Sequence, residues 1–184
     1  MENNLDKINK YISSLNFKKG FFALGEKYNN ISNRDIKVLW RMQPIDVIME
    51  HRLITSFEYA LIVSEFCKEN DIDHYVIGIC CENKYERNPS VYPVIRNKYG
   101  YRVLNALPFE SPFIDDVIEH MTLRNLSSPH TSKALGGIIP NLNNFVNLSY
   151  SMFAAKLESN LRNRINFPYK EDVEDILNIY RKIV

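Results

Sequence analysis

Residues 56–68, SFEYALIVSEFCK, set Phe57, Tyr59, Ala60, Leu61, Ile62, Val63, Phe66 and Cys67 around nearly the whole circumference of a helix and leave Glu58, Ser64, Glu65 and Lys68 as its polar outlets. A helix apolar on most sides has to be enclosed, so the rest of the chain must supply layers around it. Thr55 or Ser56 can cap it, with Glu58 or Tyr59 in the first turn, since a hydroxyl there accepts from free backbone N–H groups. Asn70 and Asp71 end it. The run that follows, from His74 through Tyr75, Val76, Ile77, Gly78 and Ile79 to Cys80, is aromatic and β-branched and short enough to be a strand.

A chain of 184 residues is expected to form one domain with a full core. Hydrophobic content of 45% and aromatic content of 12% argue against disorder. The 23 basic and 22 acidic residues nearly cancel, so no global field recruits nucleic acid or an anionic membrane. The start, MENNLDKINKY, lacks the basic-then-apolar pattern of a signal peptide, and no run reaches the roughly eighteen apolar residues of a membrane span. A cytoplasmic location is the expectation. Cys67, Cys80 and Cys81 are not spaced as a zinc site and read as reduced structural residues; no metal and no cofactor is indicated.

Around the central stretch, helical spacing predicts a first helix through Leu5, Ile8, Tyr11, Ile12 and Leu15. Residues 17–30, with two glycines and terminal asparagines, read as a loop with room for one short element. A short helix starts at Ser32 and Asp35 and carries Ile36 to Met42 before Pro44, and Ile45 to Met49 begin another. A polar loop is expected over residues 82–90, then strands over 91–96 and 101–106 joined by a turn longer than two residues. Further helices are predicted from Ser111 and Pro112, over residues 141–164 and over residues 170–183, with a Ser/Pro/Gly loop over residues 127–141 between them. Gly136 and Gly137 do not make a phosphate loop, because no lysine and hydroxyl follow in order. Lys18 and Lys19 among Phe17, Phe21 and Phe22 read as a solvated loop anchored by aromatics.

The stretch DVIMEHRLITSFEYALIVSEFCKENDIDHYVIG resembles the transglutaminase-like family, relatives of the papain-fold cysteine proteases. There a nucleophile in the form G-x-C-x-[DE]-[YF]-A opens a buried helix, and later strands bring a histidine and an aspartate. Here the helix length, the triplet Glu58-Tyr59-Ala60 and the strand to Gly78 carry the likeness, and VYPVIRNKYGYRVLNALP resembles the histidine hairpin. The likeness covers about residues 45–108, leaving residues 109–184 as a helical extension. It implies an α+β fold, a central buried helix packed on a small antiparallel sheet of three or four strands, with added helices at both ends.

The positions matching the family's cysteine, histidine and aspartate are Ser56, Tyr92 and Asn105. A serine hydroxyl is much harder to deprotonate than a thiol, and a tyrosine, with a pKa of about 10, is a poor base near neutrality. The resemblance therefore implies a catalytically inactive domain that binds a protein or peptide partner, with Ser56, Glu58, Tyr92 and Asn105 as candidate binding positions. An alternative is a hydrolase or acyltransferase that pairs Ser56 with a base from elsewhere; His51, His74, His120 and His130 are the histidines available, and His130 lies in the Ser/Pro/Gly loop. Another is a helical interaction subunit of a larger assembly. Each position also has a plain structural reading: Ser56 as an N-cap worth about 1 kcal/mol, Tyr92 as a ring packed under the sheet, and Asn105 as a strand-end residue.

Overall fold

A computed structural model describes residues 3–29, 32–82, 87–97, 100–104 and 134–162. The fold is α+β. Its helices are α1 (Asn4–Leu15), α2 (Asn33–Leu39), α3 (Ile45–His51), α4 (Ser56–Glu69) and α5 (Tyr150–Arg162), with a 3₁₀ turn over Leu142–Phe145. Its strands are β1 (Lys18–Lys19), β2 (Phe21–Ala23), β3 (Glu26–Tyr28), β4 (Leu53–Ile54), β5 (His74–Glu82), β6 (Arg87–Asn97), β7 (Gly100–Val103) and β8 (Ala134–Ile138). None of the described helices is long and apolar enough to cross a membrane.

The expected enclosure of the central helix holds: α4 is buried from Ser56 through Ser64 and again at Cys67. Tyr11 of α1 stacks on Phe66 at 4.2 Å. At the other end Phe57 is flanked by the rings of Trp40 at 4.7 Å and Phe153 at 4.9 Å. The four-stranded sheet, in the order β7-β6-β5-β8, is antiparallel throughout.

Alternation sorts the sheet's two faces. His74, Val76, Gly78 and Cys80 of β5 share a face with their cross-strand neighbours Val91 and Ile95 of β6. His74 hydrogen-bonds Ser64 of α4 from that face, and Val76, Cys80, Val91 and Ile95 join the core that α4 and α5 fill. Ile77, Tyr92 and Val94 project from the opposite face. At Gly78 the approach of α5 is so close that a Cβ would stand 2.5 Å from Leu157 Cδ1 and 2.8 Å from Ile139 Cδ1, which a side chain cannot do without displacing them.

β6 holds two prolines, unusual for a strand with neighbours on both sides. The register explains them. Leu104 N–H donates to the Pro93 carbonyl at 2.9 Å, and Val76, opposite Pro93, turns its own carbonyl to Ile139. The Pro93 nitrogen therefore faces the β7 side, and Pro89, four residues earlier, faces the same way. The β5 ladder loses no donor to either.

Several elements differ from the sequence expectations. Residues 17–30 contain a hairpin, β2–β3, whose two-residue turn Leu24-Gly25 has φ of 52° and 77°, the positive pair that type I′ needs. β5 runs four residues beyond Gly78, and β6 begins at Arg87, so most of the supposed loop over residues 82–90 is strand. Asn97 pairs with Gly100, leaving a two-residue connection where a longer turn was expected. Ala134–Ile138, read as loop, is a strand paired antiparallel with β5. The long helix over residues 141–164 is broken: Asn141 Oδ1 accepts from Asn143 N–H at 3.0 Å, Asn147 takes φ of 67°, and α5 starts only at Tyr150. Asparagine side chains compete with the helix for backbone donors, and four of them precede its late start at Tyr150. The helices predicted from Ser111 and over residues 170–183 lie outside the described residues.

Candidate functional site

The start of α4 is built from a hydroxyl and a carboxylate three positions apart. Thr55 stands outside the helix in extended conformation and its Oγ1 accepts from the N–H of Phe57 at 3.3 Å and from that of Glu58. Glu58 reaches back to the Thr55 N–H at 2.9 Å and to its hydroxyl. This reciprocal box requires a carboxylate three residues after the cap. From Ser56 that position is Tyr59, so Thr55 is the cap and Ser56 is the first helical residue, not the N-cap.

Glu58 is fully buried, and its oxygens are also claimed from outside the helix. The indole Nε1–H of Trp40 donates to Oε1 at 2.8 Å and the Gln43 backbone N–H to the same oxygen at 3.2 Å. Gln43 carries the network on: its Oε1 accepts from Phe22 N–H at 2.8 Å, and its Nε2 donates to the Leu53 carbonyl at 3.3 Å. One carboxylate thus ties the end of α2, the approach to α3, β2 and β4 to the first turn of α4. Burial raises its pKa, opposed by the hydrogen bonds from Thr55, Gln43 and Trp40. Tyr59 and Cys67 nearby on α4 are pushed up by burial to about 12 and about 11, which marks Cys67 as an inert core thiol.

Ser56 is buried at 8% exposure at the start of α4. Tyr92 is also buried, opposite Ile77 in the β5–β6 ladder, and projects from the sheet face away from α4. The structure therefore does not bring Ser56 and Tyr92 into one cleft. The neighbouring residue on β6 that does face the helical layer is Val91, which carries no acid–base chemistry. Asn105 lies outside the described residues, as do His120 and His130. Glu58, the fourth candidate, has its oxygens turned to donors of its own chain. Among the described residues no group of three or more His, Cys, Asp and Glu side chains is placed to hold a metal ion.

The two described histidines are engaged elsewhere. The His51 ring stacks on Phe22 at 3.8 Å. His74 sits 3.0 Å through Nε2 from Ser64 Oγ and 2.9 Å through Nδ1 from the Ile72 carbonyl. A carbonyl only accepts, so Nδ1 carries a proton, and in the neutral ring the Ser64 hydroxyl donates to Nε2. The pair has the connectivity of a hydroxyl and its general base, but Ser64 is buried in the third turn of α4, where backbone N–H groups are bonded to carbonyls one turn back and none is free to hold an oxyanion. Its role is to fasten β5 to α4.

The residues that sequence reasoning missed are Trp40 and Gln43. The signal was present in Glu58 itself, since an acid inside an otherwise apolar helix must find donors, and an indole and an amide a dozen or more positions upstream can supply them. No protein-family model, curated protein or solved structure matches the chain.

Proposed function

We propose that the chain is a noncatalytic domain of transglutaminase-like type that acts by binding a protein or peptide partner. The order of buried helix, antiparallel strands and capping acid supports the likeness. The separation of Ser56 from Tyr92 by the thickness of a sheet supports the absence of catalysis, and it is the observation that carries the reading. Tyr92, behind the sheet, is not placed to take a proton from the Ser56 hydroxyl. The buried cysteines Cys67 and Cys80 suit a reducing compartment, in keeping with a cytoplasmic location.

Two measurements on the purified protein test this. A serine-reactive fluorophosphonate is expected to leave native Ser56 unlabelled, and a peptide selected from a displayed library is expected to bind the native protein and Ser56→Ala equally well. Labelling that vanishes in Ser56→Ala, with circular dichroism unchanged, overturns the proposal in favour of a hydrolase or acyltransferase.

A further inference from the structure

Glu58 is a charge-bearing group with no cation beside it among the described residues. Four donors converge on its two oxygens: the Trp40 indole, the Gln43 and Thr55 backbone amides and the Thr55 hydroxyl. That number matches the acceptor capacity of an ionised carboxylate. A protonated one must donate through one oxygen, and of the four partners only the Thr55 hydroxyl oxygen can accept, in competition with the Phe57 and Glu58 N–H groups it already takes. The three N–H groups cannot.

We propose that Glu58 is a proton-operated latch: ionised, it holds Trp40, Gln43 and Thr55 on the first turn of α4, and protonated, it reverses its bond to Thr55 and loosens its hold on Trp40. The inference is independent of the reading of function above, because it concerns the connection between layers and not a partner.

The surroundings favour a single titration. Of the ionisable groups on other elements packed around α4, Tyr150 of α5 lies against the first turn, edge-on to Trp40 at 6.4 Å and to Phe57 at 6.5 Å; Tyr11 of α1 stacks on Phe66, His51 of α3 lies on Phe22, and His74 of β5 is held by Ser64. Tyr92 of β6 projects from the far face. Burial and the four donors govern the carboxyl, and burial, the larger influence, moves it above the ordinary glutamate value of 4.5.

Trp40 is the chain's single tryptophan, so its indole gives one N–H resonance that needs no assignment. The test follows that resonance in the native protein between about pH 9 and about pH 4.5, with circular dichroism as a check on the fold. The expected result is a shift with one inflection above the ordinary glutamate value, absent in Glu58→Gln and retained in Glu65→Gln. A resonance that stays still across the range, or an inflection at or below the ordinary value, overturns the latch. So does an inflection that persists in Glu58→Gln. Should that variant fail to fold, the carbon-13 shift of the Glu58 carboxyl in the native protein decides: it must share the indole's inflection, and a different midpoint sinks the proposal.

Discussion

At the scale of the residue, two positions do work that their chemistry makes hard to replace. Gly78 lets Leu157 lie directly on β5, and Gly78→Ala forces overpacking in a core with no slack there. Such a change costs about 1–3 kcal/mol, read as a lower denaturation midpoint. If the cause is the Leu157 contact, the costs of Gly78→Ala and Leu157→Ala are less than additive in the double variant; simple additivity would place the cause elsewhere. Glu58 acts through its proton. Because burial raises its pKa in the folded state, the folded protein holds the proton more tightly than the unfolded chain. Its contribution to stability is fully present below the ordinary glutamate value and is lost as pH rises through the raised one. Unfolding free energies from denaturant titrations at a series of pH values should therefore fall across that window, and Glu58→Gln should flatten the slope. A slope of opposite sign in the native protein would mean that the four donors outweigh burial.

At the scale of the element, α4 owes its first turn to a cap one residue earlier than the position the resemblance singled out. Thr55→Ala removes a hydroxyl that serves the N–H groups of Phe57 and Glu58 and is expected to cost about 1–2 kcal/mol. Ser56→Ala, which removes no cap, should cost less when the two are compared by chemical denaturation; the reverse order would return the cap to Ser56. The body of α4 was legible because its apolar residues leave no exposed face, and the Ser32–Asp35 box of α2 because both partners are local. The β2–β3 hairpin was not, since Leu24 replaces the asparagine that usually marks a type I′ turn. β8 escaped notice for a different reason. ALGGI has little strand character of its own and becomes a strand by pairing with β5, more than fifty positions upstream.

At the scale of the whole molecule, the candidate site shows where reading from sequence stops. The segment VYPVI is apolar at every position, so alternation gives no hint of which residues face the helices. The ladder with β5 settles it in favour of Val91 and Ile95 and sends Tyr92 to the other side. A one-residue difference in register separates a residue beside the helix from one behind the sheet. The core predicts a collective property as well. Cys67 and Cys80 are both buried in it, and with the Cys67 thiol near 11 roughly a thousandth of it is thiolate at pH 8. Iodoacetamide should modify these two cysteines only as fast as the protein unfolds globally, followed by mass spectrometry of peptides; rapid labelling of the native protein would reveal a local opening.

The two prolines of β6 also bear on how copies of the chain meet. Among the described residues, no strand runs along the outer side of β6 before Pro93. A strand arriving there, whether from this chain or a neighbouring molecule, can donate to the carbonyl of Pro89 but finds no N–H at that residue, and between the two prolines Val91 alone presents an outward amide. Extended segments recruit one another into aggregates through matched donors and acceptors, and a gap in the row disfavours that templating. The residues that leave the internal ladder of β5 and β6 intact thus blunt the flank from which intermolecular stacking would otherwise spread.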